Sequence, residues 1–224
     1  MKNLPGARWA RLIAAFTMLL GLSLVPPGWA GEPAVKRDLA QAPSAPAARP
    51  VTIRGTIAAV DGQRLTVSTA GGEVRVTLAE PLAVIGAVGA RLSDIAPGAY
   101  VGTAAHAQPD GTFRSIEVHI FPETMRGTGE GHRPWERPET TMTNATVEAV
   151  VQRAEGSLLT LKHKDGETRV VVPPDTPIVR YVPGDRSLIV PGASVVLIGA
   201  RRAEDGTIRA PRVTVGVGGT KLPM

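Results

Sequence analysis

The sequence contains two copies of one short pattern, and this internal repeat constrains the fold more than any other feature. The first copy spans residues 55–120 and the second spans residues 145–215. Both copies carry the same turn residues in the same order: Gly72 and Gly166, Pro97-Gly98 and Pro191-Gly192, and Asp110-Gly111-Thr112 and Asp205-Gly206-Thr207. A self-match of this kind is typical of a duplicated structural unit. We therefore expect two related modules.

Apolar and polar residues alternate between these turns, which favours short β-strands over helices. Five or six such strands in each copy predict a small closed barrel. The expected fold is all-β, with two tandem OB-like β-barrels joined by an irregular connector. The expected boundaries are 51–122 for the first barrel module, 123–144 for the Gly/Pro-rich connector, 145–217 for the second barrel module, and 218–224 for a loose tail.

The first thirty residues predict a secretory signal peptide. Three basic residues precede the apolar run Leu12–Val25, and small residues, Gly28 and Ala30, follow a Pro-Pro pair. This order is typical of cleavage, here after Ala30, although an uncleaved anchor is the alternative. We expect a periplasmic or secreted protein with a flexible Ala/Pro-rich tether over 31–50. No later apolar run is long enough for a membrane span.

Charge and cysteine content narrow the function classes. The chain has 25 basic and 20 acidic residues, a net charge of +5. Three of the basic residues lie in the first thirty, so cleavage would leave 22 basic against 20 acidic residues, a net charge of +2. Such a balance argues against nucleic-acid binding. The chain has no cysteine, which excludes disulfides, thiolate catalysis and the anchor of a lipoprotein.

The order of these motifs resembles a bacterial family of exported OB-like β domains of unknown function. The residues that carry the resemblance are GTIAAVDG, LTV, the Pro-Gly pairs and the DGT turns, and they cover both modules. The connector FPETMRGTGEGHRPW is similar to a segment between two such modules in proteobacterial relatives. The resemblance implies a fold rather than a site. Some such proteins carry metal-transport labels, which implies at most an accessory role here, because a permease needs several apolar spans.

Histidines and a glutamate predict a candidate metal site in the first module. If Asp110-Gly111 formed a two-residue turn, His106 would face Ser115 on the neighbouring strand. The core would then receive Ile116, Val118 and Ile120, and the opposite face would carry the polar side chains. The candidate ligands are His106, Glu117 and His119, with His132 of the connector completing the set. Imidazoles and a carboxylate suit zinc, copper or nickel, whereas the alternative is an ordinary solvated strand face.

The connector is the second candidate site. Its large apolar and basic side chains are those that dominate protein interfaces. The candidate interface residues are Met125, Arg126, Trp135 and Arg137. They predict either anchors for a partner, such as an envelope protein, or a structural staple across the junction of the two barrels. We favour the staple, because a connector of this length is usually packed in a compact protein.

The sequence offers little support for catalysis, because no serine lies in a nucleophile-elbow pattern. The acidic pairs fall at turns, where turn chemistry explains them. The arginines of the second module could meet an anionic glycan. We therefore expect a non-enzymatic binding or scaffolding protein of the bacterial cell envelope, with no required cofactor. The alternatives are a periplasmic metal-binding accessory protein and, less favoured, a hydrolase.

Overall fold

The computed structural model describes residues 50–223 of the chain. The predicted signal peptide and all but the last residue of the predicted tether lie outside the described residues. The described part contains twelve strands: β1 (Val51–Asp61), β2 (Arg64–Thr69), β3 (Gly72–Ala90), β4 (Tyr100–Ala107), β5 (Phe113–Ile120), β6 (Gly131–Pro134), β7 (Thr140–Arg153), β8 (Gly156–His163), β9 (Gly166–Val172), β10 (Ile178–Pro183), β11 (Ser194–Arg202) and β12 (Ile208–Gly216). Three single 3-10 turns cover Leu92–Asp94, Glu123–Met125 and Arg186–Leu188. The all-β prediction is confirmed.

The strands close into two five-stranded rings. The first barrel consists of β1, β2, β3, β12 and β11, and the parallel pairing of β3 with β12 closes it. The second barrel consists of β4, β5, β9, β8 and β7, and the parallel pairing of β5 with β9 closes it. Each barrel therefore takes three strands from one repeat and two strands from the other.

This exchange of strands differs from the expected division into modules 51–122 and 145–217. The physical reason is the length of β3, whose 19 residues span about 60 Å when extended. Its first part belongs to the first barrel, and its last part, 85–90, pairs with β10, while 85–87 are still paired with β12 on the other side. The chain therefore enters β4 at the other end of the molecule, beside the strands of the second repeat.

The pairing scheme has an internal two-fold symmetry. Counted from the shared Pro-Gly pairs, Ala87 is the counterpart of Tyr181, and these two residues are paired with each other between β3 and β10. The pairing of β1 with β11 likewise repeats as the pairing of β7 with β4. The long β3 of the first repeat corresponds to β9 and β10 together. These two strands are separated by the proline-rich segment 173–177, because proline lacks the N–H that a continuous ladder needs.

Alternating side chains of each barrel fill its own core. In β2, Leu65 and Val67 are almost completely buried in the first barrel. In β5, Val118 and Ile120 are buried in the second. A third, smaller cluster lies around the two-fold pairing and contains Ala87, Val179 and Tyr181. The outward faces of three strands in each barrel therefore face the space between the barrels. These strands are β1, β11 and β12 in the first barrel and β4, β5 and β7 in the second.

The shared Asp-Gly-Thr motif is confirmed as turn chemistry. Asp110 accepts hydrogen bonds from the N–H and hydroxyl of Thr112, and Asp205 does the same for Thr207. These hydrogen bonds lower the pKa of both aspartates. The glycine between has a φ near +80° in both turns, a conformation that favours glycine. The motif belongs to the fold and not to a site.

The connector and the tail are both attached to the barrels. Strand β6 of the connector pairs with β7. The tail was expected to be loose, but the Leu222 N–H donates to the Ser194 hydroxyl at 3.1 Å, and the Leu222 side chain packs on the third cluster. In the described part of the chain, no helix is long and apolar enough to cross a membrane.

Candidate functional site

A cavity of about 300 Å³ lies between the outward faces of the two barrels. Strands of both barrels line it, together with the connector and the tail. The residues used below are Arg54, Glu117, His119, Phe121, Arg133, Trp135, Met142, Asn144, Val179, Tyr181, Val196, Ile198, Arg212, Thr214 and Leu222. Most of the wall is apolar, and the charged groups are concentrated at a few positions. This composition is typical of a small-molecule site.

Small residues in β4 let side chains of the neighbouring strands pack over the middle of the outward face of the second barrel. Gly102 of β4 lies between His119 of β5 and Asn144 of β7. In the next row, Ala104 lies between Glu117 and Met142. The middle strand therefore has almost no side-chain height, while the strands on both sides carry long side chains. A Cβ at Gly102 would lie 2.6 Å from Asn144 Oδ1 and 2.9 Å from the Phe121 ring, so Asn144 and Phe121 pack directly over Gly102 and form a crowded floor, and any larger residue would force them to shift.

The wall of the first barrel carries larger side chains at the corresponding positions of its middle strand. Here Val196 of β11 lies between Thr214 of β12 and Arg54 of β1. Aligning the repeats by their shared turns shows that each pocket position has a different residue in the other copy. The pairs are Gly102 and Val196, Ala104 and Ile198, Glu117 and Arg212, His119 and Thr214, and Asn144 and Arg54. The two repeats therefore differ in size and charge at the positions around the cavity.

Glu117 and His119 form the polar centre of the cavity. The Glu117 side chain is 3% exposed, and its Oε1 lies 3.8 Å from His119 Nε2, too far for a hydrogen bond. Burial raises the pKa of Glu117 to about 7 and lowers the pKa of His119 to about 4. The distance alone would classify the two as an ion pair. Because burial disfavours the charged form of each, we describe them as a neutral imidazole beside a carboxyl group that ionises only near pH 7.

Aromatic rings surround this pair. The His119 ring stacks on Tyr181 with centroids 5.1 Å apart, and Phe121 meets Tyr181 edge to face at 5.3 Å. Burial, with a further contribution from the charge of Glu117, raises the pKa of the Tyr181 hydroxyl, which therefore stays protonated and can donate a hydrogen bond. On the connector side, the Arg133 guanidinium lies over the Trp135 ring at 5.3 Å.

Several buried polar atoms of the cavity wall have no hydrogen-bond partner among the described residues: Glu117 Oε2, Asn144 Oδ1 and Arg54 Nε. The rest of each side chain is held in place. Asn144 Nδ2 donates to the Thr128 carbonyl at 3.0 Å, and Arg54 Nη1 pairs with Glu136 at 2.5 Å. Unsatisfied buried groups are rare in native proteins, and a ligand is one of the things that satisfies them.

The four predicted metal ligands do not come together. Glu117 and His119 share the cavity, but His106 is exposed at the end of β4. It lies opposite Arg114 and not opposite Ser115, because the turn is longer than two residues and the register shifts after Ala104. The face of β5 that carries Glu117 and His119 is covered by the connector and the first barrel, so it is not the solvated strand face of the alternative interpretation.

His132 lies at a different place. Its Nδ1 is 2.8 Å from the Thr143 hydroxyl, and its ring stacks on His163 with centroids 6.5 Å apart. Within residues 50–223, no three histidine, cysteine, aspartate or glutamate side chains are placed to hold a metal ion. The predicted zinc, copper or nickel site therefore has no counterpart in the geometry of the described part.

The predicted interface residues of the connector are largely used within the fold. Met125 packs on the third cluster, and Trp135 forms part of the cavity wall. Arg126 pairs with Glu123 at 2.5 Å and donates to the Gly98 carbonyl. The Arg137 carbonyl accepts from Thr140, and its side chain is exposed. These contacts agree with the staple, and they make the connector one side of the cavity.

Sequence reasoning missed several residues of this site. Arg54, Asn144 and Tyr181 carried no motif, and Gly102 looked like an ordinary strand residue. One signal could have identified them, namely a position-by-position comparison of the two repeats for changes in charge or size. That comparison marks Arg54 against Asn144, and Ala87 against Tyr181.

A comparison of the chain with protein-family models, with curated proteins and with solved structures found no match. The function is therefore argued from the geometry of the cavity.

Proposed function

We propose that this chain is an exported, non-enzymatic binding protein of the bacterial cell envelope, which holds a small amphiphilic molecule in the cavity between its two barrels. The observation that carries the proposal is Glu117, a buried carboxyl group with one oxygen that has no partner in the described part. Such a group costs free energy unless a ligand satisfies it. Evolution of a binding site accounts for that cost, whereas a purely structural strand face does not.

The size and lining of the cavity support the same proposal. A volume of about 300 Å³ is at the lower end of the range for small-molecule sites. Apolar side chains from both barrels, Met142, Val196 and Ile198, and from β10, Val179, would contact the body of the ligand. The few polar groups would fix its orientation. The expected ligand therefore has an apolar body and at least one hydrogen-bond donor.

A binding role is favoured over hydrolysis by the surroundings of His119. Within residues 50–223, its imidazole makes no hydrogen bond to a serine, threonine or tyrosine hydroxyl, and it lies against Tyr181 by stacking alone. A hydrolytic site needs a nucleophile within hydrogen-bond reach of its base. The low pKa of His119 also makes it a weak base near neutral pH.

Two finer points belong to the proposal. Each ring, counted in its strand order as 1-2-3-5-4 with strands 3 and 5 parallel, supports an OB-like barrel whose strands 4 and 5 come from the other repeat. The N-terminal pattern supports export with cleavage after Ala30. N-terminal sequencing of protein from the periplasmic fraction tests the second point, and a start at Gly31 is expected.

The binding proposal is tested by identifying molecules that co-purify with the protein. The protein is purified without a tag that binds metal, then denatured, and the released molecules are identified by mass spectrometry. The Ile198→Trp variant fills the cavity, and Val190→Trp, at an exposed position, is the matched control. We expect one or a few amphiphilic compounds with the wild type and the control, and a loss of at least tenfold with Ile198→Trp.

Equal recovery from all three proteins would refute the cavity as the binding site. Metal analysis of the same samples addresses the other candidate function. A stoichiometric amount of zinc, copper or nickel, lost in Glu117→Gln, would favour metal handling over the binding of an organic molecule.

A further inference from the structure

We propose that the ligand carries a protonated amine, which Glu117 binds, next to an apolar body that fills the rest of the cavity. This inference rests on the proposed binding function and specifies the chemistry of its ligand. It follows from the hydrogen-bond partners that the protein supplies to Glu117 and from those that it does not supply.

Glu117 is a hydrogen-bond acceptor that the protein leaves incomplete. An ionised carboxylate has only acceptor sites, so a partner for Oε2 must be a donor. Asn144 Oδ1, also buried and without a partner in the described residues, is a second acceptor on the same wall. His119 does not complete the carboxylate, because it is uncharged and its Nε2 is 3.8 Å away. The wall of the second barrel therefore offers two acceptors to the ligand, whereas the unpartnered donor, Arg54 Nε, lies on the wall of the first barrel.

The charged groups around Glu117 do not remove this demand. Arg54 of β1 has the largest effect of these charges on the pKa of Glu117, but Glu136 of the connector neutralises the charge of Arg54 in a contact of 2.5 Å. Arg133 of β6 is held over Trp135 and donates to the Gly129 carbonyl.

The remaining groups act from the edge of the cavity. Arg137 of the connector and Arg212 of β12 are exposed, so water and salt screen their charges. Tyr181 of β10 stays neutral, as its raised pKa requires. Among the residues that line the cavity in the described part, Glu117 is the one acidic side chain, so its ionised carboxylate is the one anionic group there that a ligand cation can meet.

Aromatic faces of the cavity wall suit a cation. Phe121 and Trp135 both line the cavity, and the negative faces of such rings attract ammonium groups that have left water. A ligand amine would meet Glu117 through a charge-assisted hydrogen bond, which is about twice as strong as a neutral one. A carboxylate ligand placed beside Glu117 would instead meet a like charge at close range.

Three probe molecules with the same apolar body test this inference: 2-phenylethylamine, 2-phenylethanol and phenylacetate. Their affinities are measured by isothermal titration calorimetry with the full protein, Glu117→Gln, and the exposed control Glu148→Gln. At pH 8 we expect the amine to bind the wild type at least tenfold more tightly than the alcohol or the carboxylate. Glu117→Gln should abolish that preference, and Glu148→Gln should keep it.

A pH series on the unmodified protein gives an independent measurement, which remains informative if Glu117→Gln fails to fold. Only the ionised carboxylate binds the ammonium strongly, and the pKa of free Glu117 is about 7. The affinity for the amine should therefore fall by up to about 30-fold from pH 8 to pH 5.5. The affinity for the alcohol should change much less.

The outcomes separate this inference from the function on which it rests. Tighter binding of phenylacetate than of the amine, an amine affinity unchanged in Glu117→Gln, or no detectable binding of the amine would each overturn the amine. If Ile198→Trp still loses a co-purified compound, the binding function stands and only the ligand class is wrong. If neither the probes nor a co-purified compound depends on the cavity, both proposals fail.

Discussion

Folding moves a proton between the two polar residues at the centre of the cavity. In the unfolded chain between about pH 4.5 and pH 6.5, His119 is protonated and Glu117 is ionised, since their ordinary pKa values are 6.5 and 4.5. In the folded protein the order is reversed, because burial raises the pKa of Glu117 to about 7 and lowers that of His119 to about 4. Both states hold one proton in this interval, but on different side chains.

The two shifts act on stability with opposite sign. The pKa of Glu117 is raised on folding, so its contribution to stability is lost as the pH rises from 4.5 to 7. The pKa of His119 is lowered, so its contribution is lost as the pH falls from 6.5 to 4. Each shift corresponds to about 3 kcal/mol. In the wild type the two effects cancel over the shared interval, and this pair gives almost no pH dependence there.

Single substitutions should reveal the hidden dependence. Relative to the wild type, Glu117→Gln should gain about 3 kcal/mol of stability as the pH rises from 4.5 to 7, because the cost of ionising the buried carboxyl is gone. Relative to the wild type, His119→Gln should lose about 3 kcal/mol of stability as the pH rises from 4 to 6.5, because the wild type regains the contribution of the neutral imidazole over this range and the variant does not. The free energy of unfolding is measured by urea denaturation, followed by far-UV circular dichroism, at half-unit steps of pH.

The control is Glu148→Gln, at an exposed position where Glu148 lies 3.7 Å from Lys162. Its stability profile should run parallel to that of the wild type, because a surface pair contributes little. Parallel profiles for Glu117→Gln and the wild type from pH 4.5 to 7 would refute the reasoning. A fall in the relative stability of Glu117→Gln over that range would refute it as well, because a pKa of Glu117 that is raised on folding requires a gain.

Two further predictions concern the cavity floor and the strand exchange. Gly102→Ala should lower stability by about 1–3 kcal/mol, because its Cβ would lie 2.6 Å from Asn144 Oδ1 and 2.9 Å from Phe121. In contrast, Gly89→Ala, with nothing within 4 Å, should be neutral or slightly stabilising in the same urea assay, and equal losses would contradict the crowded floor. The two repeats expressed as separate chains, divided at Gly129, should not fold as monomers but should form a folded complex when mixed. Cooperative unfolding of either monomer alone would show that a single repeat can close a barrel.

The sequence predicted the elements of the fold well, because turns and strand faces are local properties. The Asp-Gly-Thr turns and the alternation in β2 and β5 follow from the chemistry of a few neighbouring residues. The exchange of strands was not predictable in that way. Since the repeats share their turns and core pattern, the sequence pattern does not say whether β4 and β5 pair with the strands of their own copy or with those of the other. The length of β3, a property of the connection rather than of the pattern, decides between them.

The candidate site was only half predictable for a related reason. The period of two correctly places Glu117 and His119 on one face of β5, but it cannot say what covers that face. The exchange of strands turns the outward face of one barrel toward the outward face of the other. Residues that each repeat would have presented to water therefore become the walls of a shared cavity. Selection on the core keeps the inward positions alike, whereas the outward positions are free to diverge. Their divergence, Glu117 against Arg212 and Asn144 against Arg54, gives the cavity one wall with a carboxyl group and one wall with two arginines. A ligand that binds there must therefore be asymmetric, even though the pairing of the strands around it is symmetric.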